Sequence, residues 1–252
     1  MIEEIQTVET GISRLLNAGK QTAIPFKVKR GDHTVFDILE CASVATPVLK
    51  WRYNPKWHTM REDILFNPQS QLGTPSMLKV MDVAPESETM IRILCREIDL
   101  AEFFLDSQVK SVIGFGCEKA ANFIFKMGND VIFSLEAAVT LPPEAARETK
   151  HTLYTTNGMI TDLAADKIIP SDQIYVFNEG KDPVTYTDHD ITLFGLSLED
   201  QDLCYACYDL ITGREDPIKW KRQSEHLERV SAAAMETLGT GRKYSFAVES
   251  AE

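Results

Sequence analysis

The sequence predicts an α+β fold built around a large, mostly antiparallel β-sheet with unequal faces. Three observations lead to this prediction. Strand-like runs follow one another from Thr46 to Glu179, and turn residues separate them. One helical segment interrupts the runs and two more close the chain. A small helix–strand–helix piece precedes the strands.

Length and charge narrow the function classes. A chain of 252 residues suits one large domain or two small ones and can bury a substantial core. Its 26 Lys and Arg residues stand against 38 Asp and Glu residues, for a formal net charge of −12. Such a surface repels phosphate backbones, so nucleic acid is not an expected partner.

Location is predicted from what the sequence lacks. No apolar run is long enough to cross a bilayer, and "MIEEIQTVET" has neither the basic start nor the apolar core of a signal peptide. The five cysteines are odd in number and have no framework spacing, which favours reduced thiols. We therefore expect a cytoplasmic protein.

The first 45 residues indicate helix, strand and helix. Apolar residues recur at helical spacing over 3–18, and Gly19 is a natural stop. "KQTAIPFKVKR" then predicts a short strand. "GDHTVFDILECASVA" predicts a second helix, with Asp32 able to cap it.

The central part of the chain is predicted to be mostly β-strand. "DVIFSLEAAV" shows the clearest alternation, with Phe133 and Leu135 on one face and Ser134 and Glu136 on the other, typical of an antiparallel sheet with unequal faces. One helix is predicted at about "EIDLAEFFLDS". The predicted strands are "TPVLKWRYN", "SMLKVMDVA", "VKSVIGFG", "NFIFKMG", "DVIFSLEAAVTL", "KHTLYTT", "GMITDLAA" and "QIYVFNE".

Two helices are predicted to close the chain. "LEDQDLCYACYDLIT" ends at Gly213, which suits the position after a helix. The second helix follows Asp216, a good cap, and begins with Pro217, which fits a first turn. Gly239 is its predicted stop.

Two motifs suggest chemistry but have a more ordinary interpretation. "GFGCEKA" offers Gly114 and Gly116 for a dinucleotide loop, but Lys119 holds the third position and a strand-like run follows, so a turn between strands is favoured. Cys204 and Cys207 form CxxC inside a helical pattern, not at a helix N-terminus where a reactive thiol is expected. Buried helix cysteines are therefore the favoured interpretation.

No metal site or nucleophile stands out by motif. None of the five histidines has metal-ligand spacing with another histidine or with a carboxylate pair, and "TDHD" at 187–190 is better explained as a polar turn. The sequence has no GxSxG and no P-loop.

The order of the segments resembles the Gfo/Idh/MocA oxidoreductases. "REIDLAEFFLDSQVKSVIGFG" is similar to the family segment in which Asp-x-x-x-His is followed by x-Ile-Asp, a helix and a strand. "YDLITGREDP" and "HLERVSAAAMETLGTGRKYSF" resemble the closing helices and the final strand of the family. The first 40 residues resemble the last helix, strand and helix of its nucleotide-binding domain.

This resemblance implies a more specific organisation. Residues 1–46 would be a helix–strand–helix remnant of a Rossmann-like nucleotide-binding domain, and residues 47–252 the C-terminal domain, an open-faced sheet with helices packed on one face. The cofactor-binding half and the Glu-Lys-Pro motif with its catalytic lysine are not found in this sequence, so no cofactor is predicted. NAD(P) would have to be supplied by a partner chain.

The same resemblance places two arginines at the family's catalytic pair. Arg92 stands at the Asp position and Arg96 at the His position, while Asp99 of the Ile-Asp step is kept. Arginine stays protonated and cannot act as the base for hydride transfer, although it can hold a carboxylate or a phosphate. Pairing with acids of the chain, such as Glu88 and Glu97, is the alternative.

No catalytic residue is predicted. The ligand-binding candidates are Arg92, Arg96, Glu97, Asp99, His58 and His151.

Two functions follow as hypotheses. The first is a non-catalytic or partner subunit, a pseudoenzyme. It would act as a homo-oligomer, or with a full-length relative, through the open sheet face, and could bind a sugar-like or anionic ligand. The alternative is an active sugar or polyol oxidoreductase subunit that obtains its NAD(P) site from another chain. A self-contained NAD(P) dehydrogenase is disfavoured, since no segment can cradle the pyrophosphate.

Overall fold

The computed structural model divides the chain into two compact units. One comprises Met1–His58 and Asp188–His226, and the other Thr59–Thr187 and Leu227–Glu252. The predicted division after residue 46 stays a prediction. No helix in the described part of the chain is long and apolar enough to span a membrane. The structure describes residues 7–21, 24–31, 35–67, 71–162, 173–187 and 196–246.

The first unit combines helices with a three-stranded antiparallel sheet in the order β1–β2–β3. Helix α1 begins after Thr7, whose hydroxyl accepts a hydrogen bond from the Thr10 amide. It buries Ile12 and Leu16, as its helical spacing predicts. The elements are α1 (Val8–Ala18), β1 (Phe26–Lys29), β2 (Asp37–Cys41), β3 (Val44–Val48), α2 (Pro55–His58), α4 (Leu198–Thr212) and the beginning of α5 (Pro217–Thr240).

The second helix predicted near the N-terminus is wrong. Strands β2 and β3 occupy its place and pair as a hairpin. Ala42 and Ser43 both have positive φ, 48° and 68°, so two left-handed residues make the tight turn. Leu39, Thr46 and Val48 are buried on alternating strand positions, a period of two. The segment is therefore one helix and three antiparallel strands, not helix–strand–helix. Asp32 lies outside the described residues.

The strand predicted over residues 46–54 is also too long. β3 ends at Val48, and Lys50–Tyr53 form a 3₁₀ turn. Asn54 ends that turn, and its side-chain oxygen accepts a hydrogen bond from the Lys56 amide, 3.0 Å away, at the start of α2. A π-helical segment, Thr59–Leu65, follows and was not predicted.

The two closing helices begin and end at or close to the residues predicted for them. Helix α4 is capped by Ser197 and ends at Gly213, whose φ of 73° is the left-handed geometry that glycine tolerates. At the start of α5 the Asp216 carboxylate accepts a hydrogen bond from the Ile218 amide at 2.9 Å. This helix runs one residue past Gly239.

The second unit contains a nine-stranded sheet in the order β11–β10–β9–β8–β4–β7–β6–β5–β12. Strands β4 and β7 pair in parallel, and the remaining pairings are antiparallel. The mostly antiparallel α+β fold is thereby confirmed. The strands are β4 (Pro75–Pro85), β5 (Val109–Cys117), β6 (Ala120–Met127), β7 (Ile132–Leu141), β8 (Glu148–Thr155), β9 (Gly158–Thr161), β10 (Gln173–Asn178), β11 (Val184–Thr187) and β12 (Tyr244–Ser245).

Helices cover one face of this sheet. Helix α3 (Met90–Leu105) packs against β4 and β7, and its Cys95 thiol lies 3.2 Å from the Ser231 hydroxyl of α5. The core lies between this layer and the sheet. On the opposite face Phe115 of β5 and Ile124 of β6 are 52% and 40% exposed. The sheet therefore has one buried face and one open face, as predicted.

Candidate functional site

Helix α3 positions four of the six predicted site residues. Its first turn is capped by Thr89, whose hydroxyl accepts a hydrogen bond from the Arg92 amide at 3.3 Å. Because α3 packs against the sheet and against α5, two of its acids are buried as deeply as their apolar neighbours. The four residues are Arg92 and Arg96, which are partly exposed, and Glu97 and Asp99, which are fully buried.

A buried histidine joins α3 to the sheet. His151 lies on β8, and its Nε2 is 2.9 Å from Oε2 of Glu97. Its Nδ1 is 3.2 Å from Oδ2 of Asp162, which follows β9. The second oxygen of Asp162 accepts a hydrogen bond from the His151 backbone amide at 2.5 Å. The imidazole is therefore held between two carboxylates.

Two arginines extend this arrangement. Arg96 Nε donates to Glu97 Oε1 at 2.7 Å, and Arg96 Nη2 donates to Oδ2 of Asp82 on β4 at 2.9 Å. Arg147, just before β8, donates to both oxygens of Asp82, at 2.8 and 2.5 Å. This fork is the two-pronged geometry that arginine makes with a carboxylate. The ion cluster consists of Asp82, Arg96, Glu97, Arg147, His151 and Asp162.

The ion cluster shifts the titration of its buried members. Burial alone lowers the pKa of His151, but the carboxylates of Glu97 and Asp162 outweigh burial and hold it above its ordinary value. Burial alone raises the pKa of Glu97, but the Arg96 guanidinium and then His151 outweigh it and hold this pKa far below its ordinary value. Both shifts favour the charged forms, so the cluster is a set of mutually compensating ions.

Charge balance limits what the ion cluster can do chemically. Three carboxylates face two guanidinium groups and, with His151 protonated, one imidazolium, so the formal charges cancel. Since Arg96 and Arg147 already bind carboxylates of the chain, neither presents an uncompensated charge to an anion. His151 is 1% exposed, and a protonated imidazole cannot accept a proton. The arrangement supports a packing role more directly than acid–base chemistry.

The other predicted site residues lie apart from the ion cluster. Arg92 Nη1 is 3.4 Å from Oε1 of Glu88, which precedes the helix, in a partly exposed pair. Asp99 is fully buried on α3. His58 ends α2 in the first unit and is exposed. The structure thus brings Arg96, Glu97 and His151 together, and it pairs both predicted arginines with acids of the chain.

Three members of the ion cluster were missed by the sequence analysis. Asp82 had a usable signal, because it occupies a position of β4 that alternates with the buried Val80 and Ala84. A charged residue at such an apolar position predicts a buried ion pair. Arg147 and Asp162 lie at strand ends among other polar residues and carry no comparable signal.

The glycine pair at 114–116 does not fit a nucleotide pyrophosphate. Cys117 and Ala120 close the β5–β6 hairpin, which confirms the predicted turn between strands. A Cβ on Gly116 would lie 2.4 Å from the Ala120 carbonyl oxygen, so this glycine serves a close backbone approach. A pyrophosphate loop needs a following helix N-terminus, which a hairpin does not supply.

The CxxC pair has the surroundings of packed thiols. Cys204 and Cys207 are both buried within α4. Burial raises the pKa of Cys204 to about 12 and that of Cys207 further, so neither thiol is activated. This agrees with the predicted buried helix cysteines. Among the residues described here, no group of three His, Cys, Asp or Glu side chains is placed to hold a metal ion.

Comparison by sequence finds no relative of this chain, whereas comparison by structure finds many proteins of similar fold. No family model matches the chain, and neither does any curated protein. The fold, however, is similar to that of many solved structures. An oxidoreductase from Pseudomonas syringae aligns with a TM-score of 0.59 and 11% identity over 95% of this chain and 69% of its own.

Two further structures carry more informative descriptions. Scyllo-inositol dehydrogenase from Lactobacillus casei, solved with NAD(H) and scyllo-inositol, aligns with a TM-score of 0.57 and 11% identity over 78% of this chain and 63% of its own. Levoglucosan dehydrogenase in complex with NADH gives 0.59 and 10% identity over 78% and 64%. The chain thus has the fold of Gfo/Idh/MocA-type oxidoreductases, and it spans a little under two thirds of the length of most of those compared.

Proposed function

We propose that this chain is a non-catalytic subunit with an oxidoreductase fold that acts through association. One observation carries the proposal: Arg96, which stands where the resemblance places a catalytic histidine, is engaged by the buried carboxylates of Asp82 and Glu97. A guanidinium so held cannot accept a proton from an alcohol. The position that would serve as a base instead stabilises the packing of α3 on the sheet.

The surface for association is the open face of the nine-stranded sheet. Ile113, Phe115 and Ile124 lie together on it, because Ile113 and Ile124 are directly opposite in the β5–β6 register. Phe115 and Ile124 are among the most exposed large apolar side chains described. A Lys79–Glu136 ion pair, 3.0 Å long, lies on the same face. An apolar patch with polar surroundings is typical of a protein interface.

The occupant of this face is a second copy of the chain or a full-length relative of the same fold. Ligand binding remains part of the proposal, with Arg92 as its candidate residue. Arg92 is the more exposed of the two arginines, and its pairing with Glu88 is weak enough to yield to an anionic or sugar-like ligand. NAD(P) would come only from a partner chain.

Native mass tests the proposal. Wild-type protein should be a dimer or larger assembly by light scattering, and Ile124→Lys, which places a charge on the open face, should dissociate it. Ile218→Lys is the matched control, since Ile218 is 62% exposed on α5. It should leave the mass unchanged. A wild-type monomer that binds no full-length relative would overturn the proposal.

Turnover separates the proposal from the alternative. An active sugar or polyol oxidoreductase subunit would oxidise its substrate once a partner supplies NAD(P), and would lose that activity on Arg96→Ala. The non-catalytic subunit would show no turnover of its own in either form. Stoichiometric binding of NAD(H) or NADP(H) to the isolated chain would count against both.

A further inference from the structure

The imidazole of His151 is the member of the ion cluster whose charge can change near neutral pH. The residue lies on β8, is 1% exposed, and contacts α3 through its ring. The charged groups around it come from the helix layer and from the ends of the strands on both sides of β8. They are Glu97 and Arg96 on α3, Asp82 on β4, Arg147 before β8 and Asp162 after β9.

The neutral ring cannot satisfy both of its carboxylates. When the proton leaves His151, one ring nitrogen keeps its hydrogen and the other turns a lone pair toward a carboxylate. These carboxylates belong to Glu97, 2.9 Å from Nε2, and Asp162, 3.2 Å from Nδ1. A buried carboxylate that faces a lone pair loses a donor and is repelled. Loss of one proton therefore breaks one of the two contacts.

The contact with Asp162 is the one expected to break. Glu97 lies in the middle of α3, and its Oε1 also accepts from Nε and Nη2 of Arg96, at 2.7 and 2.6 Å. Arg96 is anchored in turn by Asp82. Asp162 comes one residue after the end of β9 and makes the longer of the two ring contacts. A residue at a strand end can move with less loss of packing than one inside a buried helix.

The Asp162 carboxylate also holds the end of β9 against β8. Its Oδ1 accepts a hydrogen bond from the His151 amide at 2.5 Å, and the Asp162 amide donates to the His151 carbonyl at 3.1 Å. The Thr161 hydroxyl donates to the same carbonyl at 3.0 Å. Because one carboxylate bridges the ring and the backbone of His151, repulsion from the ring acts on the backbone bonds as well.

These contacts make the strand end sensitive to a single proton. We propose that the proton on His151 acts as a latch, which fastens the end of β9 to β8 when it is bound. On its loss this end opens, while the rest of β9 stays paired with β8 and β10. The latch is a local device, separate from unfolding of the whole unit and from the association proposed above.

Amide hydrogen exchange followed by NMR measures the opening. The probe is the Asp162 amide, and the reference is the Asn157 amide, which donates to the Leu72 carbonyl at the other end of the β8–β9 pair. The quantity compared is the protection factor, which divides out the ordinary acceleration of exchange with pH. Both amides are read in one sample, so the result does not depend on whether the chain associates.

The latched form binds the proton more tightly than the open form, so latching is complete at low pH and is lost as pH rises through the pKa of the latched His151. The ring signals of His151 locate that pKa. Across it the protection factor of Asp162 should fall about tenfold or more, since each unit of pKa difference between the two forms changes their ratio tenfold. That of Asn157 should stay constant. A constant value at Asp162, or equal falls at both amides, would overturn the proposal.

Substitutions assign the effect to the carboxylate–imidazolium contact. In Asp162→Asn the neutral ring is satisfied on both sides, because Nε2–H donates to Glu97 and Nδ1 accepts from the carboxamide. Protection of the amide at position 162 should then no longer fall with pH. His151→Gln has no proton to lose and should also lack the fall, whereas the exposed His58→Gln should retain it. A fall in Asp162→Asn as large as in wild type would contradict the latch, even if His151→Gln does not fold.

Discussion

Nε2 of His151 lies 2.9 Å from Oε2 of Glu97, and both side chains are almost completely buried. The other ring nitrogen is 3.2 Å from Asp162. A neutral imidazole donates from one nitrogen only, whereas an imidazolium donates from both. The protonated ring therefore satisfies both carboxylates at once, which explains why the pKa of His151 lies above its ordinary value despite burial.

This geometry predicts a loss of stability as pH rises above the ordinary pKa of histidine. Because the pKa of His151 is raised in the folded state, its contribution is fully present below the pKa of the unfolded chain and is lost as pH rises through the folded pKa. We expect the free energy of unfolding, measured by urea titration at a series of pH values, to fall as pH rises from the unfolded-state pKa of His151 through its folded-state pKa.

The source of that pH dependence can be assigned by substitution. His151→Gln should be less stable at neutral pH and should lack the fall. His58→Gln changes an exposed histidine and should retain it. The prediction is wrong if His151→Gln shows the same pH dependence of stability as wild type and His58→Gln.

Removing the Glu97 charge should be strongly destabilising. In Glu97→Gln, His151 and Arg96 keep their charges but lose the anion between them. Breaking a buried ion pair from one side costs about 3–5 kcal/mol in the free energy of unfolding. Urea titration at neutral pH measures this directly.

A partly exposed pair at the start of the same helix provides the control. Glu88, which precedes α3, pairs with Arg92, and Glu88→Gln disrupts this pair; such pairs contribute no more than about 1 kcal/mol. Equal losses for Glu97→Gln and Glu88→Gln would show that the buried geometry confers no special stability.

Thiol labelling should follow burial and not the CxxC spacing. Cys117 at the β5–β6 hairpin is exposed, and native protein treated with iodoacetamide should be modified there first. Burial raises the pKa of Cys95 and Cys204 to about 12 each, so these thiols should react only after unfolding. Peptide mass spectrometry identifies the labelled sites. Early labelling of Cys204 or Cys207 in folded protein would contradict the packing described for α4.

Two glycine substitutions should have opposite effects. Gly158→Ala places a methyl group 2.1 Å from the Phe177 carbonyl oxygen, and since the clash is with backbone it should cost at least about 3 kcal/mol. In Gly239→Ala the new methyl group meets nothing within 4 Å near the end of α5, so helix propensity should stabilise the protein by up to about 1 kcal/mol. Thermal unfolding of the two variants distinguishes these outcomes, and a stable Gly158→Ala protein would refute the close strand approach.

Much of the fold could be predicted because its signals are local. The alternation in β7 reports a strand with one buried face, and Gly213, Asp216 and Pro217 mark where α4 ends and α5 begins. Part of the site followed from chemistry as well. Arg96, Glu97 and His151 were candidates, and the inability of arginine to act as a base depends on residue type alone.

Only the tertiary structure decided the rest. The segment predicted as a second helix became the β2–β3 hairpin, because strand pairing and burial of Leu39 outweighed its helical pattern. The ion cluster depends on β4 lying between β7 and β8, which brings Asp82 beside Arg96 and Arg147. Local periodicity reports which face of an element is buried, but which charges meet depends on strand order and register, and these are fixed by contacts between distant parts of the chain.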